Sequence, residues 1–497
     1  MQTLFGTDGI RGTTDHSEAA RLRLTPGLSL SIGQAIGELV RREFGNASEN
    51  LVVIGRDPRV SGWMIENALT AGLLAQGADV VQTGVMPTPG VAVLLKQLGA
   101  KAGIVISASH NPAADNGIKV FGPDGYKLSD EFEEFVQRHV PALDQLVETS
   151  REVANARELS DLSLEQLGKV LRELDEAPVP RVTRELGSVR AGVDAEQIYI
   201  DYLVDLWQGE GDLSGKLVLL ECANGAASNI APEVFLRLGA SVGVVSGSPN
   251  GLNINESYEY LEPRRFRQEV LDAGADVGIA FDGDADRVLL LDEKGQVIDG
   301  DVIMAILARD MLARDRLAHR TVVTTNMSNL GLHESLDEIG ARVVETRVGD
   351  RYVLAEMLAN GYTLGGERSG HILILDGEQT TGDGIHTALA VLSAMSREPD
   401  ARLSELASVM PRYPQFIASA AITARPKLED VETVQDILAR LRAGLGPKAD
   451  ITLRYSGTEN KIRLSVRGSS DDDPEVIDKQ ATEALGRIAE AIAEWSH

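Results

Sequence analysis

Three aspartates alternate with small residues in Phe281-Asp-Gly-Asp-Ala-Asp-Arg287, between the strand-like runs Asp276 to Ala280 and Val288 to Leu291. Carboxylates at i, i+2 and i+4 repel one another when they stand a few ångströms apart. Alternate side chains of an extended loop project the same way, so Asp282, Asp284 and Asp286 can reach one hard divalent cation such as Mg²⁺. A calcium-binding helix–loop–helix is the rival, and Glu293 falls at its twelfth position counted from Asp282. That rival fails because Arg287 occupies the sixth position, where glycine is required, and because strands flank the loop. An Asp-Gly-rich hairpin turn that binds nothing is the plainer alternative.

Upstream, the apolar run Ile104 to Ile106 breaks into Ser107-Ala-Ser-His-Asn-Pro112. A hydroxyl on a loop at the C-terminal end of a strand is where open α/β sheets place their chemistry. Ser109 is the first candidate nucleophile, with Ser107 its equal in type. His110 and Lys119, either side of Asn111 and Asn116, suit proton transfer or the holding of phosphate oxygens. Glu367, Ser369 and His371, bounded by glycines, suit sugar hydroxyls or a simple polar turn. Arg454-Tyr-Ser-Gly-Thr458, with Lys461 and Arg463 nearby, suits an anion cradle. Gly457 lets backbone amides approach, Ser456 and Thr458 donate, and Arg454 can grip phosphate through paired N–H groups. Arg11 is the one cation of the glycine-rich stretch Phe5 to Gly12. A loop nucleophile, a cation site, a polar loop and a phosphate cradle together describe phosphoryl transfer on a phosphosugar.

Hydrophobic periodicity gives the elements that must position these loops. Residues 26–44 carry Leu28, Ile32, Ile36, Leu39 and Val40 at helical spacing. Leu51 to Ile54 reads as a strand, Ser61 to Leu74 as a helix, Asp79 to Gly84 as a strand, and a further helix runs to Leu98. This alternation predicts a parallel, right-handed α/β sheet. A second unit holds strands Leu217 to Leu220 and Ser241 to Val245. A third holds Thr321 to Thr325 and Arg342 to Glu345. After Pro414, three strands and two helices make a smaller α+β module. The expected plan is therefore α/β: domain I over 1–192, domain II over 193–299, domain III over 300–414 and domain IV over 415–497. Charge-rich helical periodicity around 141–182 marks an excursion within domain I.

The chain has 497 residues, room for three or four domains of about 100–200 residues each. A net charge of −27 argues against nucleic acid or an anionic membrane as partner. The single cysteine, Cys222, excludes an intramolecular disulfide and suits a reducing cytoplasm. MQTLFGTDGIRG has no basic region followed by an apolar one, so no signal peptide is expected. No apolar run approaches the ~18–20 residues of a membrane span. A soluble, cytoplasmic protein is expected.

Four of these loops together resemble the α-D-phosphohexomutases: Ser107–Pro112 with Asp115-Asn-Gly-Ile-Lys119, Asp282–Arg287, Gly366–His371 and Arg454–Thr458. Within that family the chain is most similar to the bacterial phosphoglucosamine mutases, through FGTDGIRG at 5–12, NGLNIN at 250–255, TNMSNLGL at 325–332 and VGDRYVLAEM at 348–357. The resemblance implies three similar mixed α/β domains and a C-terminal α+β domain around a central cleft, with 141–182 as an insertion. It selects Ser109, directly before His-Asn-Pro, as the phosphoserine, and makes His110, Lys119 and Arg287 its catalytic company. It implies one Mg²⁺ per active site, held by Asp282, Asp284, Asp286 and the oxygen on Ser109. Glu367, Ser369 and His371 would bind sugar; Arg454, Ser456, Gly457, Thr458 and Arg463 would hold the phosphate that is not reacting; Arg11 would support. The implied reaction interconverts glucosamine 6-phosphate and glucosamine 1-phosphate, with a sugar bisphosphate as intermediate or activator. Glucose or mannose phosphates are the alternative substrates. The partner is a small-molecule hexose or hexosamine phosphate, and the protein a monomer or homodimer.

Overall fold

The computed structural model describes residues 4–495 apart from 7–8, 15–21, 45–49, 141–185, 257–258, 260–262, 376, 378, 399–400, 446–448, 456–460 and 469–472. The expected insertion at 141–182 and the phosphate-loop residues Ser456, Gly457 and Thr458 lie outside the described residues. Two compact units emerge: Met1–Asp299 with Ser369–Ser404, and Gly300–Arg368 with Glu405–His497.

The first unit holds two five-stranded sheets. In the first, β1 (Ile10–Thr13), β2 (Leu51–Arg56), β3 (Asp79–Val85), β4 (Ala102–Ile106) and β5 (Asp115–Phe121) lie in the order β1-β5-β4-β2-β3. Every residue of β2 and β4 is buried, which requires cover on both faces. Val52, Ile54, Ile104 and Ile106 point to a cluster containing Ile32, Ile36, Leu69 and Leu73 of helices Pro26–Phe44 and Val60–Ala75. Helix Thr88–Gln97 packs against the same two strands.

The sheet is mixed, not parallel throughout. β2 runs parallel to β3 and β4, while β5 is antiparallel to β4 and β1 antiparallel to β5. The physical reason is the short loop after β4: without a crossover helix the chain can only turn back alongside the strand it has just left. That turn sets Lys119 opposite Val105, beside the loop that carries Ser109.

The second sheet has the order β10-β9-β8-β6-β7, from β6 (Leu217–Glu221), β7 (Ser241–Val245), β8 (Val277–Phe281), β9 (Val288–Asp292) and β10 (Val297–Ile298). β6 is parallel to β7 and β8, whereas β8 and β9 form an antiparallel hairpin closed by the pair Phe281 and Val288. All three aspartates therefore sit in one hairpin connection between buried strands. Glu293 lies beyond β9 and accepts from Ser404, away from the triad.

In the second unit β11 (Thr321–Thr325) runs parallel to β12 (Arg342–Thr346) and β13 (Leu364–Gly366). The short strand β14 (Ile372–Ile374) belongs to the first unit. β15 (Gln415–Ala421), β16 (Asp450–Tyr455) and β17 (Lys461–Arg467) form an antiparallel sheet in the order β15-β17-β16. Helices Glu432–Gly444 and Pro474–Trp495 cover it with an aliphatic core, the α+β module expected after Pro414. Among the described residues no helix is long and apolar enough to cross a membrane.

Arg467 ties β17 to β12 inside this unit. It donates to Glu345 Oε1 at 2.6 Å, to Ser328 O at 3.2 Å and to Asp450 Oδ2 at 2.5 Å. His333, on helix Leu330–Glu338, has its ring Nε2 3.0 Å from the same Glu345 Oε1. Burial raises the Glu345 carboxyl, but His333 and Arg467 outweigh it and hold it down to about 2. A carboxyl depressed in the folded state stabilises at pH above its unfolded value, and that contribution is lost as pH falls toward the folded value. Glu345→Gln should therefore lower stability at pH 7 by on the order of 1 kcal/mol after solvent screening. The gap between its melting temperature and that of wild type should narrow as pH falls from about 4.5 toward 3. A pH-independent gap would exclude this ion pair as the cause.

Candidate active site

Two loops of the first unit meet at the hydroxyl of Ser109. Its Oγ donates to Asp282 Oδ2 at 2.7 Å, and the residue is fully buried. The backbone of Ser109 is left-handed, with φ 51°. Its amide donates to Ser107 Oγ at 2.9 Å. The two serines are thereby distinguished: Ser107 shapes the turn, and Ser109 presents its oxygen to the aspartates.

Asp282, Asp284 and Asp286 are all buried, with a potential ligand atom of each within 4.8 Å of the others. Lys119 Nζ donates to Asp284 Oδ2 at 2.8 Å and Asp286 Oδ2 at 3.1 Å. Thr88 Oγ1 donates to Asp284 Oδ2 at 2.6 Å, and the Arg287 amide to Asp282 Oδ1 at 3.3 Å. Burial, then Asp286 and Asp284, push the Asp282 carboxyl up to about 8. Burial also acts to raise Asp286, but Lys119, His371 and Arg287 outweigh it and hold that carboxyl well below the usual range. Asp284 Oδ1 and Asp286 Oδ1 are buried without a hydrogen-bond partner among the described residues. An acceptor set of this kind, all oxygen and short of positive charge, fits a hard divalent cation.

His110 keeps an exposed edge, with Nδ1 2.9 Å from Arg287 Nη1 and 3.4 Å from Ser109 Oγ. Lost solvation and the guanidiniums of Arg287 and Arg11 hold its ring down to about 4. The imidazole is neutral near pH 7, and its Nδ1 accepts from Arg287. Arg11, on β1, approaches Asn111 Oδ1 at 3.5 Å.

The sugar-loop residues fall on both sides of the unit boundary. Ser369 and His371 belong to the first unit. His371 is buried with Nδ1 3.8 Å from Asp286 Oδ1, so it faces the acidic cluster, and Ser369 Oγ is buried without a hydrogen-bond partner among the described residues. Glu367 belongs to the second unit, where it accepts from the Gly349 amide at 3.0 Å. Arg454 and Arg463 sit directly opposite each other on β16 and β17. Burial and the charge of Arg463 both lower the Arg454 guanidinium, while nearby Glu367 acts the other way. Like charges at a cross-strand pair repel, and an anion placed between them relieves this.

Several residues around Ser109 escaped the sequence reading. Thr88 reaches Asp284, and Asp57, Arg59 and Asn255 surround the backbone of the serine loop. A usable signal was present in Gly55-Arg-Asp-Pro-Arg59: two arginines and an aspartate at the end of the apolar run Leu51 to Ile54.

Three family profiles match the chain: Phosphoglucomutase/phosphomannomutase alpha/beta/alpha domain I over residues 2–146, domain II over 197–295 and domain III over 299–413. The chain belongs to this family. Among curated members, the phosphoglucosamine mutase of Sorangium cellulosum is 42% identical, covering 99% of this chain and 93% of that one. That of Pelotomaculum thermopropionicum is also 42% identical, covering 99% and 100%. Solved structures share the fold at low identity. A phosphoglucomutase/phosphomannomutase family protein from Burkholderia thailandensis has TM-score 0.70 at 22% identity, over 98% of both chains. Aspergillus fumigatus N-acetylphosphoglucosamine mutase, in complex with GlcNAc-6P and magnesium, has TM-score 0.62 at 17% identity, over 98% and 96%.

Proposed function

We infer that this chain interconverts glucosamine 6-phosphate and glucosamine 1-phosphate, with Ser109 as the phosphoryl carrier. The observation that carries this reading is the Ser109 hydroxyl, buried and 2.7 Å from an aspartate of the triad that could hold a cation. Full-length relatives named as phosphoglucosamine mutases support the choice of sugar.

In the proposed cycle the free hydroxyl of the sugar phosphate attacks the phosphorus carried on Ser109. A P–O bond to the sugar forms, the bond to Ser109 Oγ breaks, and the hydroxyl proton passes to a base. The bisphosphorylated sugar then presents its other phosphate to Ser109 Oγ, and the same bond changes in reverse restore the phosphoserine. One Mg²⁺, held by Asp282, Asp284, Asp286 and the oxygen on Ser109, would offset charge on the transferring group. Lys119 and Arg287 remain beside the triad and neutralise what is left. Burial of these groups lowers the local dielectric and strengthens each interaction. Arg454 and Arg463, with Ser456, Gly457 and Thr458, hold the phosphate that is not reacting. The single buried thiol, Cys222, is in keeping with a reducing cytoplasm.

The matched profiles carry phosphoglucomutase and phosphomannomutase names, which favours glucose and mannose phosphates as the second reading. Comparison of kcat/KM for glucosamine, glucose and mannose 6-phosphates tests the choice. Glucosamine 6-phosphate is expected to lead by at least about tenfold, the scale on which a few polar contacts discriminate. A lead for glucose 6-phosphate would overturn it. Free phosphate should stay far below one per turnover; a stoichiometric yield would mark a phosphatase instead.

A further inference from the structure

We propose that Arg59 and Asn255 are positioning residues, a paired clamp on the carbonyls of Ser109 and Asn111 that holds the carrier serine in register with the aspartate triad. The role of the serine rests on the mutase reading above; the clamp itself rests on geometry alone. Arg59 Nη2 donates to Ser109 O at 3.2 Å and to Asn111 O at 2.5 Å. Asn255 Nδ2 donates to the same two oxygens, at 2.8 and 2.9 Å. Two donors from distant parts of the chain thus converge on one pair of acceptors.

Each donor is itself fixed. Arg59 is fully buried and ion-paired with Asp57, which also accepts from the Arg59 amide at 3.0 Å. Asn255 has a left-handed backbone, φ 60°, and its amide donates to Ala223 O at 2.8 Å. Its Oδ1 is buried without a hydrogen-bond partner among the described residues, so the amide is oriented for what it donates. The metal loop closes the third side: a Cβ on Gly283 would stand 2.7 Å from Ser109 O, so only glycine fits there. Ser109 adopts φ 51° with a side chain present, a conformation that persists only where its surroundings over-determine it. Four donated hydrogen bonds on two carbonyls supply that constraint. The consequence is the 2.7 Å approach of Ser109 Oγ to Asp282.

Asn255→Gly tests the clamp, because glycine keeps the left-handed backbone and removes both donors. Arg59→Lys is the second variant; it keeps the charge beside Asp57 and loses the planar fork. Both would be compared with wild type in hydrogen exchange followed by mass spectrometry and in steady-state kinetics. Exchange in peptides spanning 107–117 should quicken by at least about tenfold while β2 and β6 stay protected. kcat should fall by about 10²-fold with KM for the sugar phosphate little changed, as expected when a reacting atom is misplaced by about 1 Å. Unchanged exchange in that segment overturns the clamp, even if activity falls. Faster exchange with unchanged kcat overturns its positioning role. If wild type turns over none of the three hexose phosphates, the mutase reading fails, and the exchange arm still judges the clamp.

Discussion

Ser109→Ala should abolish mutase turnover, lowering kcat by at least about 10⁴-fold, the scale seen when a nucleophile is deleted from a catalytic unit. The loss is large because no neighbouring group can take over. Ser107, the nearest hydroxyl by type, accepts the amide of Ser109 at 2.9 Å and helps to form the turn. His110 Nδ1 lies 3.4 Å from Ser109 Oγ and 2.9 Å from Arg287, placed to assist an oxygen it could not replace. Intact mass should show one covalent phosphate on wild type after incubation with a hexose bisphosphate, and none on Ser109→Ala. Ser107→Ala should retain the phosphate and lose only about tenfold in kcat, because it loosens a loop without removing the carrier. Phosphate remaining on Ser109→Ala would place the carrier elsewhere, and the assignment of Ser109 would fall. Alanine fits the space but leaves the buried Asp282 Oδ2 without its donor. Stability should therefore fall by on the order of 1–3 kcal/mol, and the mass readout is taken on the folded variant.

The acidic triad was legible because its signal is local: three carboxylates within five residues between apolar runs need no partner from elsewhere to be noticed. The same holds for β2 and β4, whose unbroken apolar runs state burial on both faces. Ser109 was legible only in part. Residue type left it level with Ser107, and family resemblance separated them; the structure gives the physical distinction, an oxygen aimed at an aspartate 173 positions away. β5 was not read as a strand at all, and the parallel sheet was inferred from strand–helix alternation, which says nothing of a strand that returns without a helix. The loop between β4 and β5 is too short for a crossover, and that length held the answer. Arg59, Asn255 and Thr88 were missed for a different reason. Arg59 meets Ser109 across 50 positions, Asn255 across 146, and Thr88 meets Asp284 across 196. Such pairs are created by how sheets and loops are brought together, and no window along the chain contains both partners. Glu345 and Arg467 illustrate the same limit in the second unit, 122 positions apart.

Asp284→Asn is the substitution that most directly separates a cation site from an acidic cluster balanced by lysine alone. Asp284 Oδ2 already accepts from Lys119 at 2.8 Å and Thr88 at 2.6 Å, while Oδ1 is buried without a hydrogen-bond partner among the described residues. Asparagine preserves the shape and one oxygen, and removes one unit of negative charge. If Lys119 were the only counter-charge, the variant would simply lose part of a buried ion pair, and added Mg²⁺ would change nothing. If the triad holds a cation, two results of opposite sign should appear. Without metal, the variant should melt no lower than wild type, because a like charge has been taken from a crowded site. With Mg²⁺ at about 100 times its dissociation constant, wild type should gain about 2.7 kcal/mol, and the variant should lose most of that gain at the same concentration. The Mg²⁺ needed for half-maximal rate should rise on the order of 10²-fold, and kcat should fall by about 10²–10³-fold, as when one group stabilising transition-state charge is lost. Full wild-type activity in EDTA would remove the cation from the mechanism. An intact Mg²⁺-dependent shift in the variant would exclude Asp284 from the ligands and leave Asp282 and Asp286 to be tested in the same way.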